Sequence, residues 1–398
     1  QEVWVFRHWV KVSLCARVIA VLHGLASARM GNVVLSAPVT AKESGDSHAE
    51  LMGLSWGHSC MQGWRVSMED AHFALAGLEG GGWRETAAFG VMDGHGGKEV
   101  ALFCEQHLPR EIARGSSADA PGALINAFER IDEILLADDG AASLAALSGN
   151  GVLVQLGLET PTVSPDLVGC TCVVCLVRSD VIIVANAGDS RAVLSRQGQA
   201  VPLSEDHKPN LPGETDRIRR AGGTILRQQV GSIVQFRVNG NLNLSRSIGD
   251  LQYKRNPELL PRDQMICSTP EVQTFPREAG DEFLILACDG IWDVLGSQEA
   301  VDFVRERLPE RLHSGLPLSG IMEEMLDHCL SPDLVSTNGL GGDNMTAMLV
   351  LFNSGGGAAL ANGSVPLAKA AILKDLGSVD EAAVVPSGLC SCRKQPPA

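Results

Sequence analysis

Uncharged apolar runs recur along this chain, and several end in turns rich in glycine and acid. Ala88-Phe89-Gly90-Val91-Met92 is short and wholly apolar, the pattern of a buried strand. Phe283-Leu284-Ile285-Leu286-Ala287-Cys288 and Met345-Thr346-Ala347-Met348-Leu349-Val350-Leu351-Phe352 repeat it. Val168 to Val177 and Val181 to Ala185 read as a hairpin pair, followed by the strand Ala192-Val193-Leu194. Other stretches have helical spacing. In Lys98 to Arg114, Val100, Leu102, Phe103, Leu108 and Ile112 share a broad face, and Leu124 to Leu136, Val301 to Leu308 and Ile321 to Leu330 supply further helices. Glu214 to Ala221 predicts a short basic helix stopped by Gly222-Gly223.

Segments without a period mark the boundaries. Residues 1–51 read as an N-terminal extension and tether, polar from Thr40 to Glu50, and residues 52–353 as one large domain. Within it, 138–166 is rich in Ala, Gly, Ser and Leu and reads as an insertion. The tail, 354–398, is Gly-, Ala- and Pro-rich, reads as disordered, and carries Cys390 and Cys392. In 1–29, basic residues, Val18-Ile19-Ala20-Val21 and Ala26-Ser27-Ala28 imitate a secretory signal. Arg17 leaves that run far short of the ~20 residues a membrane span needs. Met30-Gly31-Asn32 looks like a start, which makes 1–29 upstream or dispensable sequence. Gly31 would then be open to N-myristoylation and weak membrane contact, although Leu35 stands where that pattern wants Ser or Thr.

The chemistry lies where the strands end. Asp93-Gly94-His95-Gly96-Gly97, Asp289-Gly290-Ile291-Trp292-Asp293 and Gly341-Gly342-Asp343-Asn344 put three acidic turns at three predicted strand ends, with Arg65 and Glu69 shortly before the first. One Asp beside Gly is most often a turn residue; three in this arrangement suggest one shared site. Two carboxylates about 5 Å apart at an effective dielectric near 20 repel by roughly 3 kcal/mol. A cluster of them needs a cation or must stay partly protonated. Asp and Glu oxygens with carbonyls freed by glycine suit Mg²⁺ or Mn²⁺ rather than zinc.

Composition narrows the picture. Lys+Arg 32 against Asp+Glu 47 gives a net charge of −15, which argues against nucleic-acid binding. The 45% of hydrophobic residues can fill a sizeable core. Eleven cysteines lack the spacing of a disulfide scaffold, and Cys172, Cys175 and Cys288 sit in strand-like runs, so they read as reduced core residues of a cytoplasmic or nuclear protein. Strand alternation puts Cys170 and Cys172 on one face and Cys175 on the other, which favours packing over a metal cluster.

The motifs Met61-Gln62-Gly63-Trp64-Arg65, Met68-Glu69-Asp70-Ala71-His72, Asp93-Gly94-His95-Gly96-Gly97, Gly188-Asp189-Ser190-Arg191, Asp206-His207-Lys208-Pro209, Val238-Asn239-Gly240, Leu244-Ser245-Arg246-Ser247-Ile248-Gly249-Asp250, Ala287-Cys288-Asp289-Gly290-Ile291-Trp292-Asp293 and Asp343-Asn344-Met345-Thr346 follow one another from about Met52 to Phe352. Together they resemble the metal-dependent protein phosphatases, the protein phosphatase 2C family. The resemblance implies an α/β (α+β) fold, a four-layer αββα sandwich of two antiparallel sheets packed face to face with helices outside. It implies a monomer that hydrolyses phosphoserine and phosphothreonine in protein substrates, by attack of a water bridging two Mg²⁺ or Mn²⁺ ions.

It also implies roles. Asp93 bridges the ions, Asp289 and Asp343 complete one, and Glu69 and the Gly94 carbonyl complete the other. Arg65 holds the substrate phosphate and His95 is the general acid. Asp189 and Asp293 match a third, weaker metal position, and Asp70, Asn344 and Thr171 orient the ligands from behind. The stretch 209–235 corresponds to a flap beside the site, whose Arg217, Arg219, Arg220 and Arg227 face either solvent or acidic substrates. A catalytically weak phosphoprotein-binding regulator and a phosphatase of small esters are the alternatives.

Overall fold

The computed structural model describes residues 34–80, 82–137, 139–148, 163–230 and 233–353. Two antiparallel sheets carry the architecture. The first has the order β1-β2-β16-β15-β9-β10, built from β1 (Val34–Ala49), β2 (Leu54–Arg65), β9 (Arg191–Arg196), β10 (Gln199–Pro202), β15 (Asp281–Ala287) and β16 (Met345–Phe352). The second has the order β14-β8-β7-β4-β3, from β3 (Ala71–Leu75), β4 (Ala87–Met92), β7 (Cys172–Val177), β8 (Val181–Ala187) and β14 (Glu271–Pro276). Helices α1 (Glu99–Arg114), α2 (Ala120–Leu136) and α3 (Gly140–Leu147) cover the second sheet, and α6 (Ser297–Ser314) and α7 (Ser319–Cys329) cover the first.

Strands buried on both faces explain the uncharged runs, because their two sets of alternating side chains enter different apolar layers. In β4, Phe89 and Val91 face the layer between the sheets, while Ala88 and Met92 face α1 and α2. In β15, Leu284 and Leu286 point between the sheets, and Phe283 and Ile285 meet α6 and α7. Trp56 of β2 meets Phe89 edge-on at 5.3 Å, locking the sheets together. Cys170 and Cys172 join the layer under α1, and Cys175 joins the layer between the sheets. The eight described cysteines are buried free thiols.

The tether reading of residues 40–50 is corrected: 34–49 form β1, paired with β2 along its length. This edge strand is wet on both faces, so no apolar alternation announces it. Lys42 and Asp46 tie it to α7, through Asp327 at 2.6 Å and the Ser319 amide at 2.9 Å. Part of the predicted insertion is also structured, since α3 packs Leu144 into the core against α1 and α2. The remainder of that segment from 149 to 162, the first 33 residues with Gly31, and the tail with Cys390 and Cys392 lie outside the described residues. Among the described residues no helix is long and apolar enough to cross a membrane.

Two small elements complete the frame. Strands β5 (Gly94–His95), β6 (Gly169–Cys170) and β13 (Ile248–Gly249) form a three-stranded patch in the order β13-β6-β5. Helix α4 (Pro212–Arg220) leads into the hairpin of β11 (Ile225–Val230) and β12 (Ile233–Val238).

Candidate active site

Register brings the acidic turns to the same end of the sandwich. Met345 pairs with Met61, Ala347 with Ala287, and Met92 with Ala71. Arg65, Asp70, Asp93, Asp289 and Asp343 therefore all lie at or just beyond those strand ends. Asp289 opens α5 (Asp289–Trp292), and the next residue must be small: a Cβ on Gly290 would stand 2.0 Å from the Asn344 carbonyl oxygen. That close approach sets Asp289 beside the Asp343-Asn344 turn.

Asn344 is the clamp. Its Nδ2 donates to the carbonyls of Gln62 at 2.7 Å and Ser67 at 3.0 Å, while its Oδ1 accepts from the Glu69 amide at 2.9 Å. Arg65 and Glu69 are thereby fixed next to a turn far along the chain. Arg65 Nη2 donates to Asp343 Oδ2 at 2.5 Å. The Glu69 carboxylate accepts from Ser67 Oγ at 2.8 Å and from the Gly97 amide at 3.2 Å. Thr171 secures the Asp93 backbone, with its amide donating to the Asp93 carbonyl at 2.9 Å and its Oγ1 accepting from the Asp93 amide at 3.3 Å.

Asp70 Oδ2 accepts from Thr346 Oγ1 at 2.7 Å, whereas its Oδ1 is buried without a hydrogen-bond partner. Ligand atoms of Asp70, Asp93 and Cys288 lie within 4.8 Å of one another. The electrostatics are those of crowded acids. Burial, then Asp289, Asp70, Asp343 and Asp189, push Asp93 well above the carboxylate range. Burial, then Asp189, Asp343 and Asp293, do the same to Asp289. Asp70 is pushed up to about 7, chiefly by burial. Such a site favours added positive charge, and its donors are hard oxygens. The residues present therefore fit divalent cations.

Asp189 lies within the same field but accepts from Lys208 Nζ, so a cation at Asp189 must displace or share that ammonium. Asp293 is raised by burial and its acidic neighbours, against the opposing Lys208. His95 Nε2 and Asp250 Oδ2 are 2.7 Å apart. Burial, the largest influence, would lower the His95 pKa, but Asp250, Asp189 and Glu69 together raise it and the net shift is upward.

Three features escaped the sequence reading. Lys208 and Asp250 stand inside quoted motifs, but no spacing rule marks either as a partner of Asp189 or His95. Cys288 ends an apolar run with the pattern of a core strand, and its thiol also borders the carboxylates. Arg217 is a correction. It is buried and donates to Glu214 at 2.6 Å, Gln264 O at 3.1 Å and Ser245 O at 2.5 Å, so it anchors α4 and faces neither solvent nor substrate. Arg219, Arg220 and Arg227 are exposed.

Comparison with known proteins identifies the family. A family model described as Protein phosphatase 2C matches residues 54–337. "Probable protein phosphatase 2C 58" of Oryza sativa subsp. japonica is 42% identical over 347 residues, covering 80% of this chain and 89% of that protein. "Protein phosphatase 2C homolog 2" of Schizosaccharomyces pombe is 42% identical over 318 residues, covering 78% and 77%. The crystal structure of a phosphatase from Toxoplasma gondii shares the fold, with a TM-score of 0.58 at 22% identity over 79% of this chain and 96% of that one. The chain belongs to the protein phosphatase 2C family of metal-dependent protein serine/threonine phosphatases.

Proposed function

We propose that this chain removes phosphate from phosphoserine and phosphothreonine in proteins at the carboxylate cluster, with two Mg²⁺ or Mn²⁺ ions held by Glu69, Asp93, the Gly94 carbonyl, Asp289 and Asp343. Asp189 and Asp293 would hold a third, weaker ion once Lys208 gives way. When bound, the ions supply Lewis acidity that brings the pKa of water toward neutrality and offsets phosphoryl charge. The observation that carries the reading is the mutual crowding of Asp70, Asp93, Asp289 and Asp343, with one Asp70 oxygen buried and unpartnered.

The chain's own groups divide the remaining work. Arg65 presents a planar fork matched to two phosphoryl oxygens, orienting the ester and countering charge in the transition state. His95 gives its proton to the departing Ser or Thr oxygen, which is a poor leaving group without one. Asn344 and Thr171 keep Glu69 and Asp93 in place through the bonds described above. Asp70 braces the β16 end through Thr346.

The test is turnover of a phosphothreonine peptide by the purified chain. Activity with Mn²⁺ or Mg²⁺ that disappears in EDTA and returns on adding back the metal is the expected result. Turnover that survives the chelator overturns the reading.

A further inference from the structure

We infer that Asp250 is a positioning residue for the reaction: its carboxylate holds the His95 imidazole by Nε2 and leaves Nδ1 to serve the leaving oxygen. The inference rests on the reading of His95 as the proton donor.

The patch β13-β6-β5 brings the two residues together. Gly169-Cys170 pairs with Gly94-His95 on one side and with Ile248-Gly249 on the other, so Asp250 emerges beside His95. Asp250 is 2% exposed, and its Oδ2 accepts from His95 Nε2 at 2.7 Å and Ser247 Oγ at 2.6 Å. Burial would raise its pKa, but His95, Ser247 and Lys254 together lower it, so the carboxylate is the acceptor and Nε2–H the donor. With Nε2 engaged, Nδ1 is the nitrogen left for another partner.

Gly169 gives independent support. A Cβ there would stand 2.5 Å from Asp250 Oδ2 and 2.7 Å from His95 Nε2, so the absent side chain leaves room for this one hydrogen bond. The loop behind Asp250 is braced as well. Asp132 of α2 accepts from the Gly249 amide at 2.8 Å and from Lys254 Nζ at 2.6 Å, and Lys254 also donates to the Ser247 carbonyl at 2.7 Å. Asp250 itself has φ 52°, a left-handed conformation that Asp and Asn tolerate better than other side chains. Asp250→Asn therefore keeps the backbone and the volume while removing the charge.

The experiment compares wild type, His95→Gln, Asp250→Asn, Gly169→Ala and the double variant His95→Gln/Asp250→Asn, each checked by circular dichroism and thermal melting. Each is assayed with Mn²⁺ on a phosphothreonine peptide, whose leaving oxygen needs a proton, and on p-nitrophenyl phosphate, whose leaving group does not. His95→Gln is expected to lose about 10²-fold in kcat on the peptide and far less on the aryl ester. Asp250→Asn should lose at least about tenfold on the peptide with KM little changed, and a smaller factor on the aryl ester. Gly169→Ala should show the same split, and the double variant should be no worse than His95→Gln alone. If His95→Gln keeps its peptide kcat, the proton-donor reading fails and this inference fails with it. If His95→Gln loses activity but Asp250→Asn does not, or loses it equally on both substrates, or the two losses multiply, only the inference about Asp250 is overturned.

Discussion

Arg65 Nη2 donates to Asp343 Oδ2 at 2.5 Å, so the group proposed to grip the phosphoryl is aimed by a proposed metal ligand. Both side chains are about one-third exposed, with relative accessibility of 34% each, which leaves the guanidinium reachable from the cleft. Arg65→Ala should lower kcat/KM on a phosphothreonine peptide by about 10²–10³-fold, and Arg65→Lys should recover little, because an ammonium lacks the fork. Steady-state kinetics check this, and a lysine variant with wild-type kcat/KM would contradict it.

Glu214 anchors the start of α4 and gives a pH-dependent contribution to stability. Its carboxylate accepts from Arg217 Nη1 at 2.6 Å, Ser245 Oγ at 2.5 Å and Arg246 Nη2 at 2.7 Å. Burial alone would raise its pKa, but these partners bring it from 4.5 to about 2. A depressed folded-state pKa means the stabilisation is complete above about 4.5 and is lost as pH falls through about 2. A shift of that size corresponds to roughly 3 kcal/mol. Urea unfolding should find Glu214→Gln less stable than wild type by about that much at pH 7, with the gap narrowing below pH 4. A gap independent of pH would contradict the assignment.

The Asp132–Lys254 pair is nearly buried, with side-chain accessibilities of 10% and 6%. Removing one partner leaves the other charge stranded. Asp132→Ala should cost about 3–5 kcal/mol, and Asp132→Ala/Lys254→Met should regain part of the loss. Chemical denaturation measures both, and a loss below about 1 kcal/mol for the single variant would contradict the burial argument.

Strands buried on both faces were legible because apolar side chains fill both of their faces: β4, the Phe283–Ala287 part of β15 and β16 fall on the apolar runs that end at Asp93 and Asp289 or begin after Asp343. Strand β1 was not, since an edge strand wet on both sides carries the composition of a tether. The acidic turns could be read from sequence, but what draws them together could not. Asn344 reaches back to Gln62, Ser67 and Glu69, and no local spacing encodes a contact across more than 270 residues. Arg217 illustrates the same limit, because a basic helix face looks solvated until Glu214, Gln264 and Ser245 close around one of its arginines.

The central claim is that carboxylates remote in sequence form one cation site, and calorimetric titration of Mn²⁺ into metal-stripped protein tests it most directly. Wild type should bind two ions tightly, with Asp93→Asn and Asp289→Asn losing both that binding and phosphopeptide turnover while remaining folded. Undiminished Mn²⁺ binding in both variants would contradict the account.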